Sequence, residues 1–457
     1  MNVIVVMMDS LRQDHVGAFG NDWIHTPHMD AFASEAMRFN NAYAEGLPTG
    51  PVRTALLTGR YTFMYRPWMP FLLSDFTIGE ALTHEGYKTA WIGDCYHYNR
   101  RGINFQRGFE YYELIRGQEH DKWLIDESIP IETDKYFRSR PDEPERSARW
   151  KMHFEKYLRN ISIRKTEEDF FPAQVTNATI NWLDRQKKLD NIFLWVEYFD
   201  PHEPWDPPQK YRDLYEKDYQ GQDIINPMAG PVEGYLTPEE LEHIKALYAG
   251  EVTLVDHWLG VLYEKIRELG MLDNTMIVYL SDHGNPFGER GYIKKTGPWL
   301  HDDVSKIVCM VRHPKGLGAG KASNAIVQTP DLMPTVLELL EVDGPDTVQG
   351  ESMLPLLKEE TDSQRDFAYI GRFGDVWAIK NQKWSLIKYF KDGCGKHAGE
   401  LELFNLKEDP GEQVNVLETH PEIACKMEQE LLRFVKEMED RPKGKDGEVL
   451  SIWEGHK

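Results

Sequence analysis

Cysteine is scarce in this chain. Only Cys95, Cys309, Cys394 and Cys425 occur, and no two of them form a Cys-x-x-Cys pair. Such sparing use suits a reducing compartment. Long apolar runs are missing too, since nothing approaches the roughly 18 consecutive apolar residues that a membrane span needs. The opening Asn2-Val3-Ile4-Val5-Val6-Met7-Met8 has no basic flank and runs straight into acidic residues. It reads as a strand and not as a secretory leader. A cytoplasmic protein without membrane contact is therefore expected. Positive charge is also in short supply, with 53 Lys and Arg against 75 Asp and Glu and a net charge of −22. That balance argues against nucleic acid or an anionic membrane as a broad-surface partner. An acidic enzyme that handles an anion must concentrate positive charge locally, and bound metal ions would do this. No internal repeat is present.

What is there can build a large core. The 457 residues are 41% hydrophobic, enough for two or more domains. Three continuous apolar runs, at 3–8, 191–196 and 275–280, end respectively in Asp9, in Glu197 followed by His202, and in Asp282-His283. Runs of this kind are strands buried on both faces of a parallel sheet. The C-terminal ends of such strands gather on one edge, where ligands and catalytic groups cluster. A plainer role for Asp9, capping a helix N-terminus, stays open. A helix at 77–87 leads into a strand at 89–92 that ends in Gly93-Asp94-Cys95-Tyr96-His97.

Between these lies Glu45-Gly46-Leu47-Pro48-Thr49-Gly50-Pro51-Val52-Arg53, a Gly/Pro-rich loop feeding the apolar helix that continues through Thr54-Ala55-Leu56-Leu57-Thr58-Gly59-Arg60. It places a hydroxyl and a guanidinium four residues apart near a helix N-terminus, whose free N–H groups attract anions. Thr49 as a simple cap is the bland alternative. Residues 115–165 are polar, rich in charge and tryptophan and without clear period, and read as an insertion at a substrate rim. Thr237-Pro238-Glu239-Glu240 starts a long helix, with a break allowed at Gly250 and an end at Gly270. Beyond about residue 365 the texture changes to short alternating strands at 367–370, 376–380, 384–389 and 402–406, then a helix at 421–438.

Thr49-x-Pro51-x-Arg53 followed by Leu56-Leu57-Thr58-Gly59-Arg60 resembles the signature of the sulfatase family, within the alkaline phosphatase superfamily. The resemblance spans nearly the whole chain. It implies an α/β fold: a mixed, mostly parallel sheet flanked by helices over residues 1–365, with a smaller antiparallel-sheet domain at 366–457. Three departures matter. Ordinary sulfatases carry, at the place of Thr49, a Cys or Ser that is oxidised to formylglycine. Their opening Asp-Asp is here Asp9-Ser10, and their sulfate-holding Lys-x-His is here Asp94 and Tyr96, with His97 one place later. The pattern resembles the phosphonate and phosphodiester hydrolases of the superfamily.

The resemblance implies one divalent metal held by Asp9, Asp282, His283 and the Thr49 oxygen, with His283 where Asn is more usual. Mixed carboxylate and imidazole ligands favour zinc or manganese, with calcium or magnesium as alternatives. A second ion on Glu197, His202 and His301 stays open, against the alternative that His202 and His301 only bind substrate. Thr49, Arg53, His202 and Lys295 are the expected catalytic groups, with Arg53 gripping a substrate oxygen. Tyr96, His97 and His301 are the expected substrate contacts. Threonine cannot mature to formylglycine, and a sulfo-threonine would have to be hydrolysed at sulfur. A phospho-threonine is the easier intermediate, so a phosphodiester or phosphonate monoester is the expected small anionic substrate. A sulfate ester and a non-catalytic binding protein are the alternatives, and self-association is left open.

Overall fold

The computed structural model describes residues 1–99, 102–186, 188, 190–295 and 297–440. Its main sheet has eight strands: β1 (Asn2–Met8), β2 (Met37–Tyr43), β3 (Lys88–Gly93), β4 (Tyr111–Leu114), β5 (Ile192–Tyr198), β7 (Thr275–Ser281), β9 (Cys309–Arg312) and β10 (Ala322–Gln328). Between them in sequence, β6 (Gly230–Pro231) pairs with β8 (Tyr292–Ile293) in a short ribbon. The spatial order is β10-β2-β9-β7-β1-β5-β3-β4. All neighbours run parallel except β9, which is antiparallel to both β2 and β7.

Side chains on a strand alternate between faces, and β1 shows what that means here. Val3, Val5 and Met7 enter one core, together with the helices Thr49–Thr58, Ile78–His84 and Leu332–Leu340. Ile4, Val6 and Met8 enter the other, with the helices Pro27–Glu35, Phe171–Asp184 and Pro238–Glu268. Burial on both faces is why the strand reads as a continuous apolar run. Each such side chain contributes about 1.5–3 kcal/mol on leaving water.

A second sheet of four antiparallel strands, β11 (Ala368–Arg372), β12 (Val376–Lys380), β13 (Trp384–Tyr389) and β14 (Leu401–Asn405), follows in sequence order. Its two faces also differ. Ile370, Ala378, Ile387 and Phe404 join the main core, whereas Tyr369, Ile379, Leu386 and Leu403 pack on the helix Pro421–Asp440, where Tyr369 stacks on Phe434 at 3.6 Å. No helix among the described residues is long and apolar enough to cross a membrane.

Two local expectations need correction. The helix from Pro238 to Glu268 passes through Gly250 without a break, and the glycine there makes room for Pro207, which would stand 2.8 Å from a Cβ. Within the stretch expected to be irregular, Pro144–Ile161 forms an 18-residue helix that buries Phe154, Tyr157 and Leu158. It has no side-chain cap and a polar surface, so its ends and its period were both faint.

Candidate active site

Met8 pairs with Tyr198 on one side and with Ser281 on the other, so β1, β5 and β7 finish level. Asp9 and Asp282 leave the sheet side by side. Ser10, in the left-handed region at φ 62°, turns the chain so that its N–H donates to Asp282 Oδ1 at 2.9 Å. Its hydroxyl donates to Asp9 Oδ1 at 2.8 Å and accepts from Lys295 Nζ at 2.7 Å. The residue that breaks the Asp-Asp pattern thus ties both acids and a lysine together.

Arg53 lies beneath these acids with none of its surface exposed. Its Nε donates to Glu197 Oε1 at 2.9 Å. Nη1 donates to Asp282 Oδ2 at 2.6 Å and to the Thr49 carbonyl at 3.2 Å, and Nη2 to Asp9 Oδ2 at 2.8 Å and Glu197 Oε1 at 2.6 Å. A guanidinium has five N–H donors, and all five are used. The expected grip on a substrate oxygen is therefore not how this structure places Arg53; it braces three carboxylates from below.

Glu197 needs a related correction. β5 runs two residues beyond the apolar stretch, so Glu197 sits inside the strand, on the same face as Phe193 and Trp195. Its Oε2 accepts from Tyr98 at 2.9 Å, Trp195 at 3.0 Å and Trp91 at 3.3 Å. It points into the core and not past the sheet edge.

Thr49 opens the helix Thr49–Thr58 directly above, and its Oγ lies 3.3 Å from His283 Nε2. The other nitrogen of His283 donates to the Gly284 carbonyl at 2.9 Å, which leaves Nε2 with its lone pair. Burial pushes His283 down to about 4, so the ring is neutral near pH 7. His202 is set in the same way: Nδ1 donates to the Glu203 carbonyl at 2.6 Å, its ring stacks on Phe199, and burial pushes it down to about 3.

The turn after β8 supplies the positive charge. Lys294 is left-handed at φ 66°, a strained state for a residue with a Cβ, and sends two successive lysines in different directions. Lys294 is buried against Glu203 at 2.8 Å and Asn226 at 2.9 Å and lies over Trp150, while Lys295 reaches Ser10 and Asp9. A small hollow lined by His283, Lys295, Trp299 and Arg372 opens here, with Arg372 reaching in from β11.

Asp9, Asp282 and His283 each offer one ligand atom, all within 4.8 Å of one another. Burial, then Asp282, raises the Asp9 carboxyl well above the usual range, despite Arg53 and Lys295. Two buried carboxylates and an imidazole lone pair so close together fit a divalent cation. Among the described residues no such set joins Glu197, His202 and His301. The expected second ion site is not assembled. His301 turns away, its ring 5.4 Å from Phe404 of β14. Tyr96 packs on His120, and His97 lies edge-on to Trp68 and to Phe199. Neither lines the hollow at His283. Asp94, at the Lys-x-His position, accepts from the Phe199 N–H at 2.7 Å and from Gln118 at 3.0 Å and so shapes the chain leading to His202. Sequence reasoning passed over Glu203, Asn226 and Arg372; only the double lysine signalled that a partner for one of them had to exist.

The model of the family described as Sulfatase matches residues 1–342. This chain belongs to the sulfatase family. Residues 288–437 also match the model described as N-sulphoglucosamine sulphohydrolase, C-terminal. An arylsulfatase of Clostridium perfringens is 26% identical over 98% of this chain and 97% of its own length. An N-acetylglucosamine-6-O-sulfatase of Bacteroides thetaiotaomicron is 26% identical over 97% and 87%. Among solved structures, a phosphonate monoester hydrolase of Agrobacterium radiobacter superposes with a TM-score of 0.75 over 96% of each chain at 20% identity, a likeness of fold alone. The chain is thus a sulfatase-family hydrolase acting on ester bonds, in a superfamily whose members use divalent metal.

Proposed function

We propose that this sulfatase-family enzyme hydrolyses phosphodiesters or phosphonate monoesters, small anionic esters of phosphorus, with Thr49 as nucleophile. The observation that carries the reading is a threonine hydroxyl 3.3 Å from an imidazole lone pair, at the place where the family's oxidised residue stands. Asp9, Asp282 and His283 would hold a divalent ion, zinc or manganese by donor type. Such an ion lowers the pKa of a bound hydroxyl and screens the incoming anion.

The chain's own groups supply the rest. Thr49 Oγ, its proton passed to solvent water, forms a bond to phosphorus as the bond to the alcohol oxygen breaks, and that oxygen takes a proton from solvent and leaves as the alcohol. Lys295, at the mouth of the hollow, balances charge on the non-bridging oxygens. Arg53 keeps Asp9 and Asp282 fixed while that charge moves. His202, neutral with an unprotonated Nε2, takes the proton of the water that attacks phosphorus and returns Thr49.

A sulfate ester is the second reading, favoured by the sulfatase names of the sequence relatives. Acid-quenched turnover followed by peptide mass spectrometry separates the two. The proposal expects a phosphorus-containing adduct on the peptide bearing Thr49. Turnover of a phosphodiester with no adduct, and undiminished in Thr49→Ala, defeats it.

A further inference from the structure

The hollow at His283 lies on one face of the main sheet, since its lining residues Leu47, Trp299 and Val304 belong to the core of Val3, Val5 and Met7. A larger cavity, of about 510 Å³, lies on the other face. Its lining residue Phe287 belongs to the core of Ile4, Val6 and Met8, and Tyr215 packs on that core. Among the described residues the two share no lining side chain. The cavity is walled by rings from the segment after β1 and the stretch after the short helix Gln209–Arg212. Trp23 meets His15 at 82° with ring centres 5.4 Å apart, and Tyr215 at 90° and 5.9 Å, so the three stand as adjoining walls and not as a stack. Trp23 is 48% exposed, which leaves ring surface open on the cavity it lines. The Tyr215 hydroxyl is engaged by Thr253 and the His25 N–H, so that side chain offers only its ring. Burial lowers His15 from its usual value, and its ring is neutral near pH 7.

The charge around these rings is unbalanced. Glu216, Glu242 and Glu289 line the cavity, and Asp14 adjoins it through Arg12 and His15; among the lining residues Arg12 and Lys245 oppose them. Arg12 is already committed, donating to Asp14, Glu289 and the Asn285 carbonyl. Lys245 meets Glu242 at 2.8 Å in a pair open to solvent, a kind of contact that contributes little. Glu216 Oε2 pairs with His243 and Glu242 Oε1 accepts from Lys245; the second oxygen of each has no hydrogen-bond partner among the described residues. The face of an aromatic ring and an unshared carboxylate oxygen attract the same thing, a positive charge. We propose that this cavity binds a small organic cation, an amine or guanidine carried on an apolar body. The volume is within the roughly 300–1,000 Å³ of small-molecule sites, with room for the body as well as the charged head. The acids repel an anion, and a bare metal ion would leave the ring walls unused. The site is separate from the ester chemistry and does not depend on which ester is cleaved.

Saturation-transfer NMR on the full-length protein tests this with butylammonium, butyltrimethylammonium and butylguanidinium, which carry three charged heads on one body. The neutral match is 1-butanol. At least one cation should bind with a dissociation constant on the order of 1–10 mM, and 1-butanol about tenfold more weakly or worse. The head that binds best identifies the class of ligand. Trp23→Leu, at an exposed position, keeps an apolar side chain and removes the ring face; it should weaken the cation about fivefold. The double variant Glu216→Gln, Glu242→Gln should weaken it about tenfold. Thr49→Ala should bind the cation as wild type does, which keeps the result independent of the nucleophile. Four results overturn the proposal: no saturation transfer from any cation at about 100 mM, 1-butanol bound as tightly as the best cation, binding indifferent to Trp23→Leu or to the double variant, or binding lost in Thr49→Ala.

Discussion

Replacing Arg53 by methionine tests whether the guanidinium braces the site or faces the substrate. In the wild type its five donors hold Asp9, Asp282, Glu197 and the Thr49 carbonyl, and both ends of every ion pair are fully buried. Methionine fills a similar volume and leaves three carboxylates without a cation beneath them. Breaking a buried ion pair by removing one partner costs about 3–5 kcal/mol. The three acids share one partner, so the cost is taken once and not three times. Unfolding entropy of about 2.1 cal/mol/K per residue comes to about 1 kcal/mol/K for this chain. The melting temperature of the metal-free protein should therefore fall by about 3–5 °C. Scanning calorimetry in a chelating buffer measures this. Added zinc or manganese should then restore more stability to Arg53→Met than to wild type, because the carboxylates have lost the buried guanidinium beneath them. Two results would refute the reasoning: an Arg53→Met protein as stable as wild type without metal, or an Arg53→Lys protein of wild-type stability that has lost only activity. The second would return Arg53 to the substrate.

Asp256 accepts the His28 and Met29 N–H groups at the start of helix Pro27–Glu35, and burial pushes its carboxyl up from 3.8 to about 7. A raised carboxyl favours the fold below its unfolded pKa, so stability should decline between about pH 4 and 7 and level off above; Asp256→Asn should flatten that decline in urea titrations. Lys294→Met and Glu203→Gln should each destabilise by about 3–5 kcal/mol by stranding a buried partner, and the double variant should lose less than the sum. Additive losses in chemical denaturation would show that the two are not coupled. Elemental analysis should find the bound ion lost in Asp9→Asn and Asp282→Asn and retained in His301→Asn; loss in the last would reinstate a second site through His301.

The parts of this molecule that could be read from sequence are those fixed by periodicity and sheet topology. β1, β5 and β7 are buried on both faces, so each is a plain apolar run. A parallel sheet brings their ends together whatever the loops do, which is why Asp9, Asp282 and His283 could be assembled on paper, with Thr49 added by the resemblance to the sulfatase family. What could not be read depends on distances of one or two residues or on which way a loop turns. β5 continues to Tyr198, and period two then puts Glu197 into the core as a partner for Arg53. Arg53 looks like a substrate ligand until its donors are counted, and that count needs coordinates. His301 lies in the same loop as Lys295, but the left-handed Lys294 and the turn into Asp302–Ser305 aim it at β14. The helix Pro144–Ile161 lacked a cap signal and shows a narrow apolar stripe, whereas Thr237 announced its helix with a capping box that the structure contains.

The central claim is that Thr49, beside a metal held by Asp9, Asp282 and His283, attacks phosphorus and not sulfur. Its most direct test is kcat/KM for p-nitrophenyl sulfate, p-nitrophenyl phosphate, a bis-aryl phosphodiester and an aryl phosphonate, measured side by side on metal-loaded wild type and Thr49→Ala. The account expects the phosphodiester or the phosphonate to be the best substrate, with that activity lost in Thr49→Ala. A sulfate ester that is turned over best, and whose turnover depends on Thr49, would contradict it.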